Sequence, residues 1–323
     1  NMLVYAKDYK DSKKQLENAI LDIKKQGYHV FWHKELILKG VFIDRITIKS
    51  KNATKNRIIL SAGLHGIEGF VGHSTIIGFL DVFLDKVSSN TEVVIYHVLN
   101  PYGMIAYSRT NENNVDLNRN FSTNGFKSRN DGYNLVRKFF LPKQIKNKIT
   151  MNAKYYTSLT NLIRKHGVKT LNEAILLGQN IDKYGLYYSG RKFQPSTKYI
   201  IEEVPKNLVG VKTCLWIDIH TGYGPRYQMS IVNSKYEKDV TSHMKENMNY
   251  PLILGVDTED FYDVNGDMLE YIYSVKETKK SKTDLLALCY EFGTLGEKTR
   301  HNIESLKAIV FENHARFENP NPK

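Results

Sequence analysis

Arg57-Ile-Ile-Leu-Ser-Ala-Gly-Leu-His65-Gly-Ile-Glu68-Gly-Phe70 changes character halfway along. A short apolar run closes on Ser-Ala-Gly, the pattern of a buried strand delivering its last residues to a sheet edge. His65 and Glu68 follow at once, and Ile76, Ile77, Leu80, Phe83 and Leu84 then recur at helical spacing, which places Glu68 in the turn that opens a helix. An imidazole and a carboxylate three residues apart at a strand end are a usable pair of metal ligands. A single His-x-x-Glu also arises by chance, and a glutamate at a helix start is an ordinary cap. The pair gains weight from three later stretches: Val115-Asp-Leu-Asn-Arg-Asn-Phe121, Trp216-Ile-Asp-Ile-His-Thr-Gly222 and Cys289-Tyr-Glu-Phe-Gly-Thr294.

Working outward, 28–32, 41–48 and 57–62 read as strands, 69–86 as a helix and 92–99 as a strand handing over to Asn100-Pro-Tyr-Gly103. Ahead of them, Ser12-Lys-Lys-Gln15 has the form of a capping box, with Leu16, Ile20 and Ile23 on one face of a helix that Gly27 stops. Strands that alternate with helices imply an α/β fold, a sheet covered on both faces, with ligands beyond the carboxyl ends of the strands. His65, the 100–119 segment, His220 and Glu291 all fall at such ends. Residues 122–210 break the pattern with helical segments near 133–140, 155–165 and 171–177 and a glycine-punctuated loop to Gly190, and no linker composition marks either edge. We read 1–323 as one catalytic domain with a largely helical insertion at about 122–210, and the 319–323 tail as frayed.

Composition narrows the function. The 323 residues are 41% hydrophobic and 25% charged, ordinary for a globular chain with a sizeable core, and no apolar run reaches membrane-spanning length. The first thirty residues lack an apolar signal core and two cysteines cannot build a disulfide framework, so the expected compartment is cytoplasmic. Cys214 and Cys289 fall on core strands as small hydrophobes. A net charge of +12 raises the question of nucleic acid, but the lysines are scattered, with local runs at 143–148 and 276–282 and no recognition motif. A solvated basic surface with a mild preference for anionic substrates accounts for them.

A hydrolytic zinc site needs three nitrogen or oxygen ligands and an open position for water, a description that His65, Glu68 and His220 fill for one ion. Glu291, at the end of a buried strand, is the candidate general base. Asp116 and Asp218 are suited to hold the far sides of the histidine rings, and Arg109 and Arg119 supply positive charge for an oxyanion or a substrate carboxylate.

The order His65-x-x-Glu68, Arg109, Asp116-x-Asn118-Arg119, His220, Glu291 resembles the zinc carboxypeptidase superfamily, which includes N-acyl amino acid deacylases. Asn100-Pro-Tyr-Gly103, the run from Arg109 to Phe121, Gly185-Leu-Tyr-Tyr-Ser-Gly190 and Asp218-Ile-His-Thr-Gly222 are similar to a bacterial carboxypeptidase-like branch. The resemblance runs from Arg57 to Thr294. It implies a three-layer α/β/α fold around a mixed, twisted sheet, with zinc on His65, Glu68 and His220 and Glu291 as base. Arg109 would polarise the scissile carbonyl, Asn118 and Arg119 would bind a carboxylate, and Asp116 would steady His65. Phe261-Tyr-Asp-Val-Asn-Gly266 resembles the family's mobile loop, making Tyr262 the residue that closes over substrate, with Tyr271 and Tyr273 as competitors and the specificity pocket near Leu269 and Glu270.

The expected substrate is a peptide with a free carboxylate. An N-acyl amino acid cleaved at the same site, or a basic binding protein without turnover on the same fold, are the alternatives. The chain departs from the branch after Gly178-Gln179, where Asn180, Ile181 and Lys183 stand instead of the usual histidine or proline. His73, His97, His166 and His243 have no motif around them and read as packing or surface residues.

Overall fold

A computed structural model describes residues 5–127, 130–141, 147–237, 244–246, 248, 250–254 and 266–318. Among these residues the sheet has eight strands: β1 (Val30–Leu38), β2 (Val41–Ile48), β3 (Asn56–Ala62), β4 (Thr91–His97), β5 (Thr213–Thr221), β6 (Met229–Asn233), β7 (Ile253–Leu254) and β8 (Asp284–Phe292). They lie in the order β1-β2-β4-β3-β5-β8-β6-β7. The inner strands β4, β3, β5 and β8 run parallel, whereas β1 with β2, β2 with β4 and β6 with β8 are antiparallel. Period-two alternation divides each inner strand between two cores. Leu60, Ala62, Val93, Ile95, Ile217 and Ile219 pack with Leu16, Ile20 and Ile23 of α1 (Tyr9–Lys25) and Ile76 and Leu80 of α2 (Gly69–Val82). Ile59, Val94, Tyr96, Trp216 and Ala287 face the other way, onto Tyr199, Ile200 and Val204 of α7 (Pro195–Asn207) and Leu269, Ile272 and Tyr273 of α8 (Met268–Thr278). The result is the mixed three-layer α/β/α arrangement.

Between β4 and β5, after the short α3 (Pro101–Ile105), come α4 (Tyr133–Phe140), α5 (Lys148–His166) and α6 (Val168–Leu176). Their apolar faces share a separate cluster that includes Phe139, Phe140, Tyr155 and Leu171 and takes Val310 from α9 (Thr299–Glu318). The segment 122–210 thus carries α4, α5, α6 and α7. One expectation fails: the first helix is capped by Asp8, whose Oδ1 accepts from Asp11 N, while Ser12 lies inside the helix with its hydroxyl donating to Tyr9 O. Ser12 is fully buried, so a cap at that position would have had to point into the core. The 319–323 tail, His243 and most of the 143–148 lysine run lie outside the described residues.

His73 and His97 are packing residues, and both are buried. Gln15 Oε1 accepts from His73 Nε2 at 3.0 Å, leaving His73 Nδ1 to accept from His97 Nε2 at 2.9 Å, which requires the His73 ring to be neutral. Burial lowers the His73 pKa to about 4. The unfolded chain binds this proton below about 6.5 and the folded chain does not, so the His73 contribution to stability is lost as pH falls from there toward 4. The stability advantage of the native protein over a His73→Asn variant is expected to shrink by about 2 kcal/mol between pH 7 and pH 5. Urea unfolding at the two pH values measures it, and a constant difference would contradict the assignment.

Candidate metal centre and catalytic groups

The end of β3 and the helix start behind it position the first two candidate ligands. After β3 the chain turns at Gly63 (φ +68) and passes His65 into a single 3₁₀ turn, Gly66–Glu68, that leads into α2. Two hydrogen bonds fasten this turn to the next loop, from Gly66 N to Arg109 O (3.1 Å) and from Ile67 N to Ser108 O (3.0 Å). The approach is so close that a Cβ on Gly66 would lie 2.2 Å from the Gly103 carbonyl carbon. His220 comes from the end of β5, where its register partner on β8 is Glu291.

These strands bring His65, Glu68 and His220 together, with one ligand atom of each within 4.8 Å of the others. His65 Nδ1 lies 2.9 Å from Glu68 Oε1 and His220 Nδ1 lies 3.1 Å from Glu68 Oε2, which also accepts from Thr221 N at 3.0 Å. Both imidazoles turn Nδ1 inward and Nε2 outward to a carboxylate: His65 Nε2 is 3.3 Å from Asp116 Oδ1, and His220 Nε2 is 2.6 Å from Asp218 Oδ2. Orientation of each ring by a carboxylate on its far nitrogen is the arrangement that ligating histidines require. The Asp218 carboxylate is itself held, since Trp216 Nε1 donates to Ser61 Oγ (2.9 Å) and Ser61 Oγ donates to Asp218 Oδ1 (2.6 Å). Sequence reasoning missed Ser61 and Trp216, because the contact exists only through the pairing of Ser61 with Asp218 between β3 and β5.

Charge follows the geometry. Burial would raise the Glu68 pKa, but His65 and His220 override it and keep the carboxylate ionised below its usual range. Asp116 is likewise held well below the ordinary value, burial being outweighed first by Arg109 and then by His65. His220 shows the converse: burial disfavours its charge, yet Asp218 and Glu68 raise its pKa well above the ordinary value. Two inward Nδ1 atoms and a buried carboxylate thus converge on one small pocket. This donor set fits a zinc ion held by two imidazoles and one carboxylate.

Glu291 differs from the other carboxylates. Burial pushes its pKa up to about 7, with His220 opposing the rise. Its Oε2 is buried without a hydrogen-bond partner among the described residues, and Oε1 lies 3.7 Å from the Cys289 thiol. Arg109 donates Nε–H to Asp116 Oδ2 at 2.9 Å and holds Nη1 3.8 Å from Glu68 Oε1. The loop that carries it is braced from α9, where Glu312 Oε1 accepts from Arg109 N and Arg316 reaches Ser108, Thr110 and Asn111.

Arg119 is buried, with Nε donating to Leu176 O (2.9 Å) and Nη1 to Asn118 O (3.0 Å). Asn118 is largely engaged with the start of α8: Nδ2 donates to Asp267 Oδ2 and Oδ1 accepts from Met268 N. Tyr262 lies outside the described residues. Of its competitors, Tyr271 stacks at a tilt against Phe121, and the Tyr273 hydroxyl, buried in the α8 core, donates to Glu237 Oε1. Leu269 is in that same core.

The chain belongs to a family described as "Protein of unknown function (DUF2817)", whose model matches residues 5–322. No curated protein matches it. Among solved structures it is similar to bovine thrombin-activatable fibrinolysis inhibitor in complex with tick carboxypeptidase inhibitor, at a TM-score of 0.53 and 14% identity over 99% of each chain. It is similar also to carboxypeptidase A from Helicoverpa armigera, with a TM-score of 0.52 and 13% identity over 96% of this chain and 74% of that one. The fold is therefore the carboxypeptidase-like one implied by the sequence motifs. Among the described residues no helix is long and apolar enough to cross a membrane.

Proposed function

We propose that this protein is a zinc-dependent amidohydrolase that removes a C-terminal residue from a peptide bearing a free carboxylate. The observation that carries the proposal is a buried Glu291 oxygen, without a hydrogen-bond partner among the described residues, on the strand beside His220, next to two inward-facing imidazole nitrogens and the Glu68 carboxylate. A zinc ion on His65, Glu68 and His220 supplies Lewis acidity that makes water a usable nucleophile near neutral pH. Glu291 takes a proton at Oε2 from the attacking water and returns it to the leaving nitrogen, a shuttle suited to a carboxyl group with a pKa near 7. Arg109, fixed by Asp116, directs its guanidinium at the oxygen on which negative charge develops. Asp116 and Asp218 keep the imidazoles in the orientation that faces Nδ1 inward. Arg119 pairs with the substrate carboxylate.

Metal analysis of the purified protein, followed by assays on a peptide, its C-terminal amide and an N-acyl amino acid, tests this reading. Zinc at one equivalent with cleavage of the free-carboxylate peptide supports it. Activity confined to the acyl amino acid would assign a deacylase, and zinc without turnover a binding protein. Arg119→Ala is expected to lose about 100-fold in kcat/KM on free-carboxylate peptides and far less on amidated ones, since it removes one partner of a buried charge pair. Equal losses on both would remove Arg119 from carboxylate binding.

A further inference from the structure

Both arginines assigned to the substrate lie against a single ring. The guanidinium carbon of Arg109 is 5.4 Å from the centroid of Tyr187 and that of Arg119 is 5.8 Å from it. Two cations brought this close repel each other, and the negative face of an aromatic ring is the uncharged group that attracts both. A carboxylate in the same position would neutralise the pair and compete with an anionic substrate. A tyrosine ring does neither.

The ring is itself held. Tyr187 has left-handed backbone (φ 53), a conformation that side-chain-bearing residues adopt only where the surroundings demand it. Its carbonyl accepts from Gln179 N at 2.9 Å, and the next carbonyl, Tyr188 O, accepts from Asp116 N at 2.8 Å. The turn that carries the ring is thus bonded to the residue that orients Arg109. Phe140 of α4 meets the ring edge-on at 6.1 Å. Gly178 leaves room for Arg119, since a Cβ there would lie 3.0 Å from Arg119 Cδ and 3.2 Å from Tyr187 O. Through these contacts the segment between β4 and β5 reaches into the site.

We propose that Tyr187 is a positioning residue that fixes the separation of the two guanidinium groups, and so restricts cleavage to substrates whose carboxylate belongs to the residue being removed. The inference rests on the peptidase reading above and deepens it. The ring face does the work, so the hydroxyl is dispensable.

The test compares Tyr187→Phe and Tyr187→Leu with the native protein. Calorimetry measures binding of N-acetylphenylalanine and its amide to the zinc-stripped protein, and steady-state kinetics on a free-carboxylate peptide follows with zinc restored. Tyr187→Phe is expected to match the native protein. Tyr187→Leu is expected to bind N-acetylphenylalanine about tenfold more weakly, to bind the amide unchanged, and to show a raised KM on the peptide. A leucine variant that binds the acid as tightly as the native protein, or loses acid and amide equally, overturns the assignment. A native protein that does not prefer acid to amide overturns instead the reading of the site on which the inference stands.

Discussion

Glu291→Gln loses activity by about 10³-fold or more, while zinc content, thermal stability and substrate affinity stay near native values. The expectation follows from what Glu291 does not do. Among the described residues it belongs to no ligand trio, its Oε2 has no hydrogen-bond partner, and the rest of the carboxylate is met by the Cys289 thiol and the Tyr223 backbone. An isosteric amide therefore removes the proton acceptor without removing a metal bond. Because burial holds the native carboxyl at a pKa of about 7, the neutral amide also resembles the form the folded chain already tolerates near neutrality. Zinc analysis, a melting curve and kcat on one preparation check the prediction together. Retained turnover would assign the proton to another group, and loss of zinc would make Glu291 a ligand.

His220→Ala behaves differently, losing both zinc and stability. The imidazole lies between two buried carboxylates, with Nδ1 on Glu68 and Nε2 on Asp218. Its removal leaves two buried anions facing each other without the imidazole between them, and breaking a buried pair in this way costs about 3–5 kcal/mol. One imidazole and one carboxylate remain as ligands, too few for a stable zinc site. The expected result is substoichiometric zinc after dialysis and a lower urea midpoint even for the zinc-free protein. Full zinc occupancy in the variant would remove His220 from the ligand set. The contrast between the two variants would separate the proposed proton carrier from the proposed metal ligands.

Much of this site was legible beforehand, because each of its parts stands beside a pattern with its own physical signature. The apolar run into Ser-Ala-Gly marked β3, and the helical spacing after Glu68 marked α2. The ends of β5 and β8 were equally plain, and they carry His220 and Glu291. Asp218 was expected on the His220 side of its strand by period-two alternation, and it bonds that ring. Less could be said of α7, α8 and α9, whose amphipathic patterns are interrupted by polar and β-branched residues, or of β6, antiparallel to β8, and the edge strand β7, parallel to β6. The capping box at Ser12 misled, because Asp8 offered a cap one turn earlier and the core claimed Ser12.

The sequence by itself determined which residue types could do the chemistry and that they stand at strand ends, because burial periodicity and strand-end signals are local properties of the chain. Only the tertiary structure decided that Nδ1 of both imidazoles faces Glu68, that Ser61 and Trp216 hold Asp218, and that Tyr187 carries two guanidinium groups. These contacts join residues up to 157 positions apart, as Ser61 and Asp218 are. They depend on strand register and on the path of the segment between β4 and β5, which are settled by the packing of the whole sheet and its two helical layers.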